Sequence, residues 1–145
     1  VRDDQVQPNG VDLTLGAVFE QVEPGRIGRE GKTVGERREL ESEPHPDGAD
    51  VFDLEPGGYV VRYGDRVAIP DGHVGFIYPR SSLLRNACML DTAVWDAGYE
   101  GIGEGLLEVY HTIAIERGAR IAQLVLADAA HEGVYEGSYQ REGLE

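Results

Sequence analysis

The stretch at residues 79–101, PRSSLLRNACMLDTAVWDAGYEG, decides how the rest of the chain is interpreted, because reactive side chains, turn residues and apolar runs crowd together there. Arg80, Ser81 and Ser82 follow an apolar run and precede Leu-Leu. This pattern predicts that a strand ends and that a short helix begins with serine at its N-cap. Such a corner directs backbone N–H groups, two hydroxyls and a guanidinium toward one place, and those donors suit a phosphate.

The second half of the same stretch predicts a hairpin. Residues 89–95 have the pattern of a mostly apolar strand, and DAGYEG at residues 96–101 is a turn signal that returns the chain. Asp96 would then lie at the end of a strand, where a rigid backbone can aim its carboxylate. Each half alone also has a simpler explanation, since a serine pair often only caps a helix and an Asp-x-Gly sequence often only forms a turn.

Length and composition predict a single folded domain. The chain has 145 residues, of which 41% are hydrophobic, so it is long enough for a core and is not disordered. No apolar run reaches the length of a membrane-spanning helix, and the first residues do not resemble a signal peptide. The single cysteine, Cys88, cannot form a disulfide within the chain, which favours the reducing cytoplasm as its location.

The charge of the chain excludes two classes of partner. The net charge is −14, with 27 acidic residues against 13 Lys and Arg. Such a surface repels nucleic acid and anionic membranes, so we expect neither to bind. Lys32 is the only lysine. Acid-rich chains with almost no lysine resemble proteins of salt-loving organisms, where high ionic strength screens the self-repulsion; the alternative is an ordinary acidic protein.

Short apolar runs and turn residues fill the rest of the chain. Val11, Leu13 and Leu15 alternate with other residues at the period of a half-buried strand, which would place Asp12 on the opposite face. Residues 23–50 are polar and interrupted by Gly and Pro, so we expect a surface excursion with a loose hairpin. The strand-length runs that follow predict an all-β barrel or sandwich over residues 1–130. Residues 131–145 lack a core pattern, which predicts a flexible C-terminal arm.

Four windows resemble, in order, the motifs of one superfamily. They are NGVDLTLG at residues 9–16, RSSL at 80–83, DAGYEG at 96–101 and GARIAQLVL at 118–126. Together they are similar to the motif series of the trimeric dUTP pyrophosphatases (dUTPases) and dCTP deaminases. The resemblance implies a distorted jelly-roll β-barrel of the dUTPase-like fold with one short helix after Arg80. It also implies a homotrimer with shared active sites and an arm that closes over bound nucleotide.

The resemblance further implies roles for individual residues in hydrolysing dUTP to dUMP and pyrophosphate. Asp96 would be the general base for the attacking water, and Tyr99 would pack beneath the deoxyribose and leave no room for a 2′-hydroxyl. A Mg²⁺ ion would bridge the phosphates, with Asp12 as an outer-sphere contact. The other substrate-binding residues are assigned to the phosphates (Arg80, Ser81, Ser82, Arg120 and Gln123), to the base edge through the hairpin backbone (Thr92 and Val94), and to the arm (Tyr139 and Gln140). Arg85, in RSSLLRN, is assigned to the substrate without a more specific role.

Two other functions stay open at this point. Glu108 resembles the glutamate with which the deaminases activate water against cytosine, so a dCTP deaminase, alone or bifunctional, is the second interpretation. Arg120 and the absence of a lysine at Ser138 favour the dUTPases, whereas RSSLLRN and the Tyr-Gln of the tail are more similar to the deaminases. That mixture resembles the archaeal dUTPases and their bifunctional relatives. The third interpretation is a non-catalytic barrel that binds nucleotides.

Overall fold

The structure is a computed structural model that describes residues 1–130 and 133–144. A short 3-10 helix at Asp3–Gln5 precedes the first strand, and α1 spans Ser81–Leu84. The strands are β1 (Val6–Gln7), β2 (Gly10–Gln21), β3 (Arg26–Ile27), β4 (Lys32–Thr33), β5 (Arg37–Glu39), β6 (Glu43–Pro44), β7 (Asp50–Leu54), β8 (Gly57–Tyr63), β9 (Val67–Ala68), β10 (His73–Pro79), β11 (Cys88–Asp91), β12 (Glu100–Gly101), β13 (Glu104–Val109), β14 (Ile113–Glu116) and β15 (Arg120–Asp128). Among the described residues, no helix has the length and apolar character needed to cross a membrane.

One antiparallel sheet of eight strands forms the body of the protein. Its order is β10-β15-β2-β8-β13-β11, and β1 and β5 pair with β2 outside this order. The two end strands, β10 and β11, are in contact, so the sheet nearly closes into a barrel. β14, β7 and β6 form a separate three-stranded sheet. The prediction of an all-β barrel with one short helix after Arg80 is confirmed.

The first long strand is buried on both faces, not on one as its alternating pattern predicted. Leu13 and Leu15 belong to the core, but Asp12 and Thr14 on the other face are buried as well. The N-terminal residues cover that face, where the Gln5 side chain donates 2.9 Å to the Asp12 carbonyl. Asp65 accepts hydrogen bonds from both the backbone N–H and the hydroxyl of Thr14, at 2.7 and 2.9 Å. The polar residues of this strand therefore indicate polar partners and not exposure to solvent. Those partners lie in other segments of the chain.

Residues 23–50 leave the barrel as an exposed excursion. β3 and β4 pair as a small hairpin, closed by the Gly28 N–H donating 2.8 Å to the Gly31 carbonyl. β5 then returns to the main sheet beside the end of β2, and β6 pairs with β7. The excursion is therefore tied to the main sheet through β5 and to the separate three-stranded sheet through β6.

The strand of the predicted hairpin is shorter than expected. β11 ends at Asp91 and pairs antiparallel with β13. Residues 92–103 connect the two strands, and we call this connection the 92–103 loop although it contains the two-residue strand β12, which pairs with β9. Trp95 lies in this loop but exchanges two backbone hydrogen bonds with Gly75 of β10, at 2.7 and 3.1 Å. Asp96 follows this bridge instead of the end of a strand. Gly98 supplies the positive φ of 84° that the turn requires.

The predicted serine N-cap is absent. Arg80 is the N-cap residue of α1, and its side chain makes no capping hydrogen bond. Arg80 has extended backbone angles, and its side chain pairs with Asp12 of β2. Ser81 is already the first helical residue, so its hydroxyl is left to face outward.

Candidate active site

A pocket of about 450 Å³ lies against the 92–103 loop, and we call it the loop pocket. Its volume is within the range of small-molecule sites. The lining combines predicted site residues with residues from the excursion and the arm: Val34, Arg37, Arg62, Ala93, Val94, Trp95, Asp96, Tyr99, Glu104, Tyr135, Tyr139 and Glu142. The predicted general base, the sugar-facing tyrosine and Val94 are therefore brought together. Thr92 lies at the start of the same loop, where its hydroxyl accepts a hydrogen bond from the Trp95 indole N–H at 3.1 Å.

The Asp96 carboxylate is available for chemistry. Asp96 is exposed, and within the described part of the chain its side chain forms no hydrogen bond or ion pair. Its backbone, by contrast, is held by the two-way bridge at Trp95 immediately before it. A fixed backbone with an unpaired carboxylate is the arrangement that a water-activating base needs.

Aromatic rings connect this loop to the barrel core. Tyr63 contacts Trp95 with ring centroids 6.1 Å apart, Trp95 meets Tyr99 edge-on at 5.1 Å, and Tyr99 meets Tyr135 edge-on at 5.4 Å. Burial raises the pKa of the Tyr99 hydroxyl, which donates 2.8 Å to the Glu142 carboxylate. Any side chain at Gly103 would collide with the Trp95 ring. The loop pocket therefore has a stiff aromatic floor.

The opposite wall of the loop pocket was missed by sequence reasoning. Arg37 of the excursion makes a bidentate ion pair with Glu104, at 2.7 and 2.9 Å, and Arg62 donates 3.2 Å to the same carboxylate. Both guanidinium groups also lie over the Phe19 ring, at 4.8 and 4.9 Å. Hydrogen bonding to Glu104 raises the pKa of Arg37. No local signal marks this wall, because its members are far apart in the chain.

A second pocket of about 390 Å³, the corner pocket, lies where β10 meets α1. It is lined by Gln7, Tyr78, Pro79, Arg80, Ser81, Gln123 and Val125. Three of the residues predicted to bind phosphate, Arg80, Ser81 and Gln123, are therefore together. Ser82 and Arg120 line a separate cavity, although the Arg120 guanidinium also reaches the Asp12 carboxylate, and Arg85 is exposed as the C-cap of α1.

The buried carboxylate of Asp12 organises the corner pocket. It has no exposed surface and accepts hydrogen bonds from Arg80, Arg120 (3.4 Å), Gln123 (3.2 Å) and Gln7 (2.9 Å). Asp12 thus orients three residues that were predicted to hold phosphate. Contact with a metal-bound water would require one of these donors to move. Among residues 1–130 and 133–144, no group of three or more His, Cys, Asp or Glu side chains could hold a metal ion.

Glu108 faces a different environment. It lies on β13 diagonally from Asp91 on β11, since Met89 pairs with Glu108 and Asp91 pairs with Leu106. The Tyr110 hydroxyl donates 2.9 Å to Glu108. Hydrogen bonding between the two acids lowers the pKa of Glu108 and raises that of Asp91. The Glu108 carboxylate is therefore engaged with its neighbours and is absent from the lining of the loop pocket.

Residues 133–144 of the predicted arm lie along the loop of the same chain; positions 131, 132 and 145 lie outside the described residues. Gln140 donates 2.8 Å to the Gly98 carbonyl and accepts 2.8 Å from the Glu100 N–H. Tyr139 lines the loop pocket, but Tyr135 is the residue that packs on Tyr99. The two predicted arm residues are therefore both at the site, with Gln140 bound to the backbone of the turn.

The loop pocket and the corner pocket share no lining residue. Asp96 and Ser81 consequently face different cavities in a single chain. Neither pocket of the single chain brings these two residues together.

Comparison with known proteins places this geometry in a family. A family model described as dCTP deaminase-like matches residues 1–129. A probable deoxyuridine 5′-triphosphate nucleotidohydrolase of Halobacterium salinarum is 59% identical over 98% of this chain and 87% of its own length. A protein of Aeropyrum pernix with the same description is 44% identical over 96% of this chain and 87% of its own.

Solved structures agree on the fold. A 2′-deoxycytidine 5′-triphosphate deaminase from Agrobacterium tumefaciens matches with a TM-score of 0.62 and 24% identity, over 89% of this chain and 42% of that chain. A dUTPase of Staphylococcus bacteriophage 80alpha matches with a TM-score of 0.50 and 20% identity, over 68% of this chain and 88% of that chain. At these identities the likeness establishes the fold alone. With the family model covering nearly the whole chain, the protein belongs to the dCTP deaminase-like family.

Proposed function

We propose that the protein is a dUTP pyrophosphatase that converts dUTP and water to dUMP, pyrophosphate and a proton. The observation that carries the proposal is the loop pocket, where the unpaired carboxylate of Asp96 lies beside the aromatic floor made by Trp95 and Tyr99. Its relatives in Halobacterium salinarum and Aeropyrum pernix, described as probable deoxyuridine 5′-triphosphate nucleotidohydrolases, support the same activity.

The proposed chemistry needs one proton acceptor and several phosphate donors. Asp96 takes a proton from water as the oxygen attacks the α-phosphorus, and the bond from that phosphorus to the bridging oxygen breaks to release pyrophosphate. Arg80, Ser81 and Gln123 supply donors for the phosphate oxygens from the corner pocket. The backbone at Val94 offers hydrogen-bonding groups to the edge of the base. Tyr99 supports the deoxyribose.

We propose that Mg²⁺ arrives with the triphosphate instead of occupying a protein-built site. The described residues offer no group of three or more acids for direct coordination, and the fully buried Asp12 carboxylate already accepts from four donors. Magnesium commonly keeps several waters and binds through substrate phosphates, which fits this donor set. When bound, the ion would neutralise charge on the phosphate oxygens. Chelation should therefore abolish turnover without changing the unfolding midpoint of the nucleotide-free protein.

We propose that the active sites are composite, in the homotrimer that the family resemblance implies, and the separation of the two pockets supports the composite part of this proposal. Asp96 and Ser81 line different cavities of one chain, so the base and the phosphate donors would meet across a subunit interface. Mixing inactive subunits tests this directly. Asp96→Asn and Ser81→Ala proteins, unfolded together and refolded as an equal mixture, should regain about a quarter of wild-type activity, because random assembly makes that share of composite sites intact. Sites built within one chain would regain none.

The activity itself is tested by one incubation with dUTP, dCTP and Mg²⁺. Pyrophosphate release from dUTP alone supports the proposal, whereas ammonia release from dCTP supports the deaminase. The deaminase remains the second candidate because the family model carries that description and Glu108 lies on the strand after the loop. The contact of Glu108 with Asp91 and Tyr110 disfavours it as a base, since both contacts lower its pKa. Nucleotide binding without either product would indicate a non-catalytic barrel.

A further inference from the structure

Residues 133–144 of the C-terminal arm contact two other segments of the chain. On one side the arm follows the 92–103 loop through backbone hydrogen bonds: Tyr135 N–H to the Ala97 carbonyl (2.6 Å), Arg141 N–H to the Glu100 carbonyl (2.6 Å), and Ile102 N–H to the Glu142 carbonyl (2.8 Å). On the other side it meets the hairpin of the surface excursion. Lys32 at the start of β4 makes that second contact.

Lys32 makes two contacts with consecutive arm residues. Its ammonium group donates 3.0 Å to the Ser138 hydroxyl and lies 4.2 Å from the centroid of the Tyr139 ring. Tyr139 in turn lines the loop pocket, which Lys32 does not. The side chain therefore acts on the pocket only through the arm. It is also the single lysine among the 13 Lys and Arg residues of the chain.

The chemistry of these contacts explains a lysine here. An ammonium ion over an aromatic face is attracted by the ring quadrupole, and its remaining N–H groups can still donate to a hydroxyl. Within the arm, the Tyr139 N–H donates 3.1 Å to the Tyr135 hydroxyl, and Gln140 binds the turn at Gly98. Lys32 adds a contact from the excursion to this segment. Without Lys32, Tyr139 would lose its partner on the excursion side.

We propose that Lys32 is a positioning residue: it holds the C-terminal arm of its own subunit closed, so that Tyr139 forms one wall of the loop pocket. The substrate-related part of this inference rests on the proposed function, in which the loop pocket takes the nucleoside. The excursion at residues 23–50 is thereby given a role, as the support against which the arm closes.

Hydrogen exchange tests the contact without any nucleotide. In the full chain, Lys32→Ala should speed exchange of the Tyr135, Arg141 and Ile102 amides by about two- to fivefold, the effect expected for one exposed cation–π contact. Lys32→Arg keeps a cation over the ring and should restore protection. Arg29→Ala is the matched control, since it removes a positive charge from the same exposed hairpin and, within the described residues, its side chain has no hydrogen bond or ion pair. Unchanged exchange in Lys32→Ala, or an equal change in Arg29→Ala, overturns the proposal.

Steady-state kinetics with dUTP and Mg²⁺ separate positioning from chemistry. Lys32→Ala should raise KM by about the same two- to fivefold and leave kcat unchanged, with Lys32→Arg near wild type. A large fall in kcat with unaltered exchange would mean that Lys32 takes part in the chemical step. An unaltered KM with faster exchange would mean that arm closure does not contribute to substrate binding. Either result overturns the proposal. Failure of the proposed function would leave the exchange result intact, so the two failures are distinguishable.

Discussion

The Arg80 guanidinium donates to the fully buried carboxylate of Asp12. The sequence predicted that Arg80 binds phosphate and that Asp12 contacts the metal ion from its outer sphere. In the single chain these two residues form an ion pair with each other. Arg120 and Gln123 donate to the same carboxylate. Asp12 is therefore placed to orient the proposed phosphate donors through hydrogen bonds. Its effect on folding can be measured separately from its effect on turnover.

Removing the charge of Asp12 should destabilise the fold. Asp12→Asn leaves Arg80 and Arg120 beside a neutral side chain that has no exposed surface. Breaking a fully buried ion pair costs about 3 kcal/mol, and the loss here should be smaller because water still reaches the two arginines, which are 31% and 32% exposed. The change is measured by the midpoint of denaturant unfolding. Asp4→Asn is the control, because Asp4 pairs with Arg2 and Arg120 on the surface and should shift the midpoint little. Equal midpoints for the two variants would contradict this account of Asp12.

Replacing the proposed base should lower turnover and spare binding. Asp96→Asn keeps the shape of the side chain but cannot take a proton from water, so kcat for dUTP should fall at least about 100-fold. Binding of a non-hydrolysable imido analogue of dUTP, measured by titration calorimetry, should stay close to wild type. Glu108→Gln is the matched acid-to-amide control and should hydrolyse dUTP normally. Near-normal turnover by Asp96→Asn would remove Asp96 from this role.

Truncating Tyr99 should weaken the rejection of ribonucleotides. Tyr99→Ala opens space beneath the sugar, so the ratio of kcat/KM for dUTP over UTP should fall at least about tenfold. Tyr99→Phe is the control, because it keeps the ring against Trp95 and Tyr135 and loses only the hydrogen bond to Glu142. The measurement is the pair of specificity constants for each variant. Equal discrimination by the alanine variant and wild type would refute the steric role.

Arm docking should depend on pH through Glu142. Burial raises the pKa of this carboxyl above its ordinary value of 4.5, against the opposing hydrogen bond from Tyr99; Glu104 also raises it, while Arg62 and Arg37 lower it. A raised pKa means that the protonated form favours the docked arm. Docking should therefore be strongest below the ordinary pKa and weaken as pH rises through the raised one.

Exchange of the Ile102 amide, corrected for its intrinsic rate, measures this dependence between about pH 4 and 7. Glu142→Gln cannot ionise and should flatten the curve in that window. If the variant kept the full pH dependence of wild type, another group would be responsible.

High salt should stabilise the protein. With a net charge of −14, the folded chain repels itself, and molar salt shortens the screening length to about 3 Å. The thermal unfolding midpoint should rise as KCl increases to molar concentration. Neutralising two exposed acids, Glu41→Gln with Glu43→Gln, should reduce that dependence as a control. A midpoint that stays flat or falls with KCl would refute the salt-loving interpretation.

Local pattern was sufficient for the fold class and for part of the loop pocket. Short apolar runs between Gly, Pro and Asp predicted an all-β barrel, and DAGYEG at residues 96–101 predicted the turn that carries Asp96 and Tyr99 to one pocket. These features depend on side-chain period and turn chemistry, which neighbouring residues determine. The catalytic and binding roles assigned to Asp96, Tyr99, Ser81 and the others stay predictions.

Tertiary structure alone decided the rest. The pairing of Arg80 with Asp12 joins residues 68 positions apart, and that of Arg37 with Glu104 joins residues 67 apart. Arg80, with an extended backbone, occupies the N-cap position that was predicted for serine. The predicted strand ends at Asp91, and Trp95 beyond it bridges to β10. The sequence by itself determined which segments form strands and turns. Other features depend on where distant segments meet in the nearly closed sheet. They are the four donors around the Asp12 carboxylate, the lack of a partner for the Asp96 carboxylate among the described residues, and the pocket that each donor faces.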